Sequence, residues 1–576
     1  MQKDLILLRS HITLDFAMQE LARMLEEAGI KPAVHSCKDV MVDNSILVGT
    51  WEDCKQAGIP CEQFIGNGNT PEKAGDDDYM MVESGGKGRI ILAGKTERST
   101  LYAVYEYGRR YLGCSYVYPD LFGMRYDRET GRDLFDDRDQ QAYYSPLFQR
   151  RGFVFETIYD VDYMVGMIDW LAKNRISEIF VTFMLWDRLR NAISPEINKR
   201  GMKLTLGGHS MKFFTRKEHP DGLEELTESD PYGVKRQFDY DDLTWQTEVC
   251  ERIMSYCEGI AGLERISLWP EDVAVKRTGR NSHRPEDASR FLSGYIRFTE
   301  CLKEALERQG LNIEVEHIAY NAGLSWNMLE RGEIAGSGAV DTLFAYWGRS
   351  YGRSLMNNSS AFERRALDSL MDWRAETKTR KRHFTVFEYY SDHFMLTWLF
   401  PALLGRMAHD MREYNELGVD GLLNLVVPFV PKPNLPGAGP GDGYDWRWAH
   451  GCNSFGFARL AWGDRPEEVL QHYLSVFTPS ERPEVKRLLA DIEQRVSEVT
   501  EWNIPLFPAR AVDPEKITGK PDRAGITMML RRIASLPEVS LPPDVIPSRA
   551  FHAFLVYVNG LKEEAGKLEQ HWLAAE

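Results

Sequence analysis

Between Arg151 and residue 429, eight short apolar stretches recur with helical segments between them, and this alternation constrains the fold more than any other feature of the chain. They are GFVFET (152–157), EIFVTFM (178–184), MKLTLGG (202–208), RISLWPED (265–272), IEVEHIAYN (313–321), DTLFAYW (341–347), HFTVFEYYSD (383–392) and GLLNLVVPF (421–429). Strands separated by helices pair in parallel through crossovers, and eight such units over about 280 residues predict a closed (β/α)8 barrel. An open doubly wound sheet is the alternative. No GxGxxG turn follows the first strand, which argues against a dinucleotide fold.

The flanks read differently. Residues 1–140 alternate strand-like SILVG, YMMVES and RIILAG with amphipathic helices, as expected of a small α/β layer. After the Pro/Gly-rich run at 428–446 the chain carries helix-period apolar positions, in EEVLQHYLSVF for example. The expected class is α/β: a (β/α)8 TIM barrel over 150–430, with a small N-terminal α/β domain before it and a C-terminal helical region over 431–576.

A net charge of −16 speaks against nucleic acid as a partner, because phosphate binding needs a basic surface. No apolar run reaches the roughly 20 residues of a membrane helix, and the N-terminal LILL is too short for a signal peptide. A cytoplasmic protein is expected. Its eight cysteines show neither CxxC nor metal-ligand spacing, so buried thiols and no metal or cofactor are expected.

In such a barrel the C-terminal strand ends share one mouth, where catalysis sits. The residues expected there are Trp, Tyr, His, Asn and carboxylates: Trp186, His209, Trp269, Tyr320, Asn321, Trp347, Arg349, Tyr389, Tyr390 and Trp446 as substrate-binding candidates. Aromatic faces cover the C–H face of a pyranose while polar groups bond its hydroxyls. Glycosidic cleavage adds one carboxyl to protonate the leaving oxygen and a second as nucleophile or base. Glu271 or Asp272 after strand four, with Glu388 on strand seven, is the expected catalytic set. Crowding Glu271 against Asp272 would favour one protonated carboxyl, although one of the two could instead cap the next helix. Arg150, Arg151, Lys212, Arg349 and Arg353 could pair with a carboxylate on the substrate.

The segment DDYMMVESGGKGRIILAGKTERSTLYAVYEYGRRYLGCSYVYPD (77–120) resembles the domain that precedes the barrel in alpha-glucuronidases and family 20 beta-hexosaminidases, with Ser99 where a glycine is usual. RGFVFE, GGHSMKFF and FGFARLAWGDRPEEVLQHYLSVF (455–477) are similar to further segments of alpha-glucuronidase-like proteins. Hexosaminidases carry Asp-Glu after strand four, and here the order is reversed, Glu271-Asp272. In alpha-glucuronidases a Glu after strand four gives the proton and carboxylates on later strands activate water, a pattern nearer to Glu271 with Glu388. The resemblance implies an exo-acting glycoside hydrolase that removes a terminal sugar, a uronic acid among the options, from small oligosaccharides or glycosides. A substrate-assisted N-acetylhexosaminidase and a non-catalytic carbohydrate-binding protein are the alternatives. The expected partner is a small carbohydrate, with a homodimer left open.

Overall fold

A computed structural model of the chain describes residues 2–36, 43–59, 74–84, 88–117, 125–126, 143–215, 240–271, 285–321, 326–357, 360–396, 399–428, 446–501, 522–539 and 546–574. The N-terminal sheet has six strands in the order Lys31–Ser36, Gln2–Leu7, Ser45–Thr50, Arg89–Gly94, Tyr79–Ser84 and Tyr143–Tyr144. The first four run parallel and the last two pair antiparallel. Helices Ile12–Glu27 and Glu97–Tyr111 bury their apolar stripes in the same core as the sheet. The second helix starts on a capping box: Thr96 Oγ1 accepts from Ser99 N, and Ser99 Oγ accepts from Thr96 N at 2.9 Å. Gly94 lies so close to this turn that a Cβ would fall 2.3 Å from Thr100 N, which explains a glycine at the strand end.

Eight parallel strands close into a barrel, labelled β1 (Arg150–Phe155), β2 (Glu178–Thr182), β3 (Lys203–Gly208), β4 (Leu263–Leu268), β5 (Glu314–Tyr320), β6 (Asp341–Ala345), β7 (Phe384–Asp392) and β8 (Gly421–Val427). Each pairs with its sequence neighbours, and β8 returns to β1. The second strand stops earlier than its apolar run suggests. Thr182 accepts from Leu185 N and turns Phe183–Lys199 into helix at once.

The barrel floor is ionic. Arg150 grips Glu178 with Nε and Nη2, both at 2.7 Å, and reaches Glu316 at 2.5 Å, while Thr205 donates to Glu178. Burial opposes ionisation of Glu178, yet Arg150 outweighs it and brings the pKa down to about 2. Arg151 also belongs to this end, donating to Asp77 of the N-terminal domain at 2.7 Å. Asp77 binds Arg98 as well, and Tyr102 donates to the Ile176 carbonyl before β2. The N-terminal domain therefore docks at the strand starts, away from the mouth. Arg150 and Arg151 are thereby corrected as candidates for substrate recognition: both are committed to ion pairs at the floor.

Beyond the barrel, helix Trp446–Trp462 packs against β7 and β1, and further helices follow to Ala574. No described helix is long and apolar enough to cross a membrane.

Candidate active site

Side chains alternate across a strand, so the floor contacts fix which residues of each strand face the barrel interior. On β7, Thr385 reaches Arg150 in the floor, which puts Phe387 and Tyr389 on the inward side. The Phe387 ring lies 5.4 Å from Trp269 across the barrel and 4.9 Å from Tyr389. Trp269 also meets Phe180 at 5.3 Å, closing the interior below the mouth with aromatic rings.

Above that layer the tips of β3, β4 and β5 converge. The His209 ring sits 5.3 Å from Trp269 and 5.9 Å from Tyr320. His209 Nδ1 bonds the Pro270 carbonyl at 2.7 Å, and since a carbonyl only accepts, Nδ1 carries the proton. Trp269 N donates to the Gly208 carbonyl, and Pro270 stiffens the turn. Together they hold Glu271, which is 0% exposed and whose Oε1 accepts from Lys212 N at 3.4 Å. Behind it Tyr240 is held well above the ordinary phenol range by burial, Tyr295 and the charge of Glu271. The strand ending in Trp-Pro-Glu thus aims one carboxyl at the β3–β4 corner of the mouth.

Two glycines make this corner possible. A Cβ on Gly207 would lie 1.8 Å from the Ser267 carbonyl of β4. Gly208 has φ +72° and sits where a Cβ would meet Thr182 Cγ2 at 2.9 Å and Glu156 Oε1 at 3.3 Å. The second distance places Glu156 at the mouth: its carboxylate reaches from the end of β1 to the end of β3. Glu156 continues the inward series Gly152, Val154, Glu156, and that parity was the signal available in the sequence for choosing it.

Glu388 occupies the opposite face of β7, which is a correction to the expected catalytic set. It points away from the interior, where its Oε1 accepts from Arg349 at 2.6 Å and from Tyr414 on helix Leu404–Glu416, and its Oε2 from Tyr351 at 2.7 Å. Arg349 also binds Asp410 at 2.7 Å, and Tyr390 donates to Asp410 at 2.8 Å. Burial, helped by Glu388, keeps Tyr351 and Tyr414 well above the ordinary phenol range, so both remain donors. Arg349 and Tyr390 are therefore corrected together with Glu388. The physical reason is strand parity: the bulky Phe387 and Tyr389 claim the inward positions and send their neighbours outward.

The other candidates divide. Tyr320 stands beside His209, and Tyr389 beside Phe387 on the inward side of β7. Trp186 lies on the buried stripe of its helix with Leu189, Ile193 and Ile197, and serves the core. Asn321 uses its amide as a bracket, accepting from Trp347 N at 2.8 Å and donating to Trp347 O at 3.1 Å, which fastens the loops after β5 and β6. Asp272 and the side chain of Trp446 lie outside the described residues. At the tip of β7, His393 and His450 form a buried pair; burial brings His450 down to about 3, and burial with His450 lowers His393. Among the described residues no cluster of three or more His, Cys, Asp or Glu is arranged to hold a metal ion.

No curated protein matches the chain in sequence. Among solved structures, a GH138 enzyme targeting pectin rhamnogalacturonan II aligns over 99% of this chain and 68% of its own, with 12% identity and a TM-score of 0.56. The protein CpGH84D aligns over 100% and 89%, with 10% identity and a TM-score of 0.47. Residues 1–107 match the Glycosyl hydrolase family 67 N-terminus. The domain that precedes this barrel is thus of the kind found at the start of glycosyl hydrolases.

Proposed function

We propose that the chain is a glycoside hydrolase acting at the barrel mouth, with Glu271 as the general acid. The observation that carries the reading is the placement of Glu271: a fully buried carboxyl at the tip of β4, set by the His209–Pro270 bond beside Trp269 and Tyr320. A carboxyl removed from water pays a penalty for ionising, the condition a proton donor needs. Protonating the glycosidic oxygen weakens the bond to the anomeric carbon, and a second carboxylate then supports attack on that carbon. Glu156 takes this second role in place of Glu388, because it is the carboxylate that reaches the β3 tip. His209, Tyr320 and Tyr389 would bind the sugar, and Asp272 would act beside the acid. The substrate is a terminal sugar of a small glycoside or oligosaccharide. Uronic acids are favoured by the N-terminal match and by the likeness to an enzyme whose target is a pectin.

The test is turnover of aryl α- and β-glycosides of glucuronate, galacturonate, N-acetylglucosamine and neutral hexoses. Wild type should cleave at least one. Glu271→Gln should lower kcat/KM by about 10²–10⁴ on it, less so with a leaving group acidic enough to need no proton. Equal loss on good and poor leaving groups would remove Glu271 from the acid role, and full activity of Glu156→Gln would remove Glu156 from the pair.

A further inference from the structure

On the far side of the barrel from the mouth, the three parts of the chain line a half-open cavity of about 480 Å³. Arg110 of the N-terminal domain, Arg175 before β2 and Trp462 at the end of a C-terminal helix all line it. The proposed hydrolysis makes no use of it.

Arg110, Arg175 and Arg465 in its wall face Asp464 and Glu468, and the buried cluster behind the wall is over-supplied with cations. Arg109, Arg110, Arg175 and Arg459 share Glu106 and Asp464: Arg109 and Arg110 bind Glu106, Arg175 binds Asp464 at 2.8 Å, and Arg459 pairs with the same Asp464. The mutual repulsion registers inside the cluster. Burial together with Arg109 and Arg175 pushes Arg459 down to about 9. Burial, Arg109 and Arg459 hold His472 well below the ordinary histidine range, so it stays neutral.

Arg175 is the centre of the arrangement. It is 2% exposed, its backbone takes a φ of 61°, and its guanidinium stacks on Trp462 at 4.4 Å. Left-handed backbone at a non-glycine residue is costly and persists where the surroundings demand it. Its Nη atoms serve Tyr79 and Asp464, while its buried Nε has no acceptor among the described residues. Both carboxylates in the wall are already neutralised, Asp464 as above and Glu468 by Arg465 at 2.9 Å.

We propose that this cavity binds a small oxyanion, a free phosphate or the phosphate of a phosphorylated sugar, with Arg110 and Arg175 as its guanidinium ligands and Trp462 as its apolar wall. Guanidinium groups match phosphate oxygens with paired N–H donors. An anion here would offset the excess positive charge and tie the three parts together, so binding would raise stability in proportion to occupancy.

The experiment is isothermal titration of the full chain with inorganic phosphate and with glucose 6-phosphate at constant ionic strength, alongside melting in the same series. Saturable binding with a rising melting temperature is expected, tighter for the sugar phosphate if the apolar wall is used and equal if the phosphate alone is read. Arg110→Gln should weaken binding at least 10-fold. Glu468→Gln, which removes a carboxylate from the same wall, should tighten it. Heat and melting shifts that merely follow those of sodium chloride, or binding unchanged in both variants, would overturn the proposal. Because the readout is binding, loss of glycosidase activity alone would leave this test intact.

Discussion

Replacing Glu388 by Gln separates a structural carboxylate from a chemical one. The side chain accepts three hydrogen bonds, from Arg349, Tyr351 and Tyr414, and is buried with all three partners. Bonds to a charged group are worth about 1.5–3 kcal/mol and neutral ones about 0.5–1.5, so neutralising Glu388 costs about 1 kcal/mol per bond. The new amide would also face Tyr351 Oη, which already accepts from Tyr389 N at 3.2 Å. Against this, Arg349 keeps Asp410, and the cluster loses one of the two carboxylates that Arg349 binds. The balance is a destabilisation of about 2–3 kcal/mol. For a barrel of this size that is a fall in melting temperature of about 5 °C. The assay is thermal unfolding at fixed scan rate, paired with hydrolysis well below the transition. The variant should melt earlier while its folded fraction keeps activity within about 10-fold of wild type. An unchanged melting curve with activity lost by 10³ or more would show that Glu388 reaches the substrate, and the parity reasoning would fall with it.

Arg349→Met should be harsher, about 3–5 kcal/mol, because, among the described residues, it leaves Glu388 a buried anion with no cation beside it and leaves Asp410 only the longer pair with Arg406 at 3.4 Å; soluble yield and melting temperature check it. Gly208→Ala forces a side chain into φ +72° and against Thr182, costing about 1–2 kcal/mol, and by displacing Glu156 it should lower kcat more than it raises KM. Glu564 is buried on the last helix, and burial raises its pKa from 4.5 to about 7. Its contribution is full below pH 4.5 and is lost as pH rises through 7, up to about 3 kcal/mol in all, so Glu564→Gln should outlast wild type in urea at pH 8.5 and match it at pH 4. Glu178 runs the other way: with its pKa lowered from 4.5 to about 2, it contributes above 4.5 and loses up to about 3 kcal/mol as pH falls through 2. Thr205→Val, which removes one donor to Glu178, should shift acid unfolding to higher pH.

The barrel was legible because its signal is repeated eight times. Buried parallel strands are continuous apolar runs, and each is followed by a helix of opposite periodicity. Boundaries were less legible where one residue serves two elements. Thr182 ends β2 and caps the next helix, so the apolar FM that follows it belongs to the helix. The ionic floor was hidden for another reason. Arg150, Glu178 and Glu316 look like solvated charges in sequence, and only closure of the barrel brings residues 166 positions apart within 2.5 Å.

The candidate site was legible in its residue types but not in the faces they occupy, and that gap has a single cause. Chemistry-bearing residue types cluster at strand ends whichever face they occupy, so residue type alone could not separate Glu271 from Glu388. Parity can, provided one residue per strand is anchored. Gly152, packed against Leu423 inside the barrel, anchors β1 and sends Glu156 inward; Thr385, bonded to Arg150, anchors β7 and sends Glu388 outward. The bulge between Glu388 and Ser391 then breaks the alternation, which is why Tyr390 and Ser391 both face the outer helices. A bulge inserts a residue without any fixed sequence signature. The Glu388–Arg349 cluster stands immediately behind it, with Tyr351 Oη bonded to both Glu388 and Tyr389 N. The outward carboxylate therefore holds the backbone that presents Tyr389 to the mouth, and its influence on catalysis would pass through that tyrosine's position.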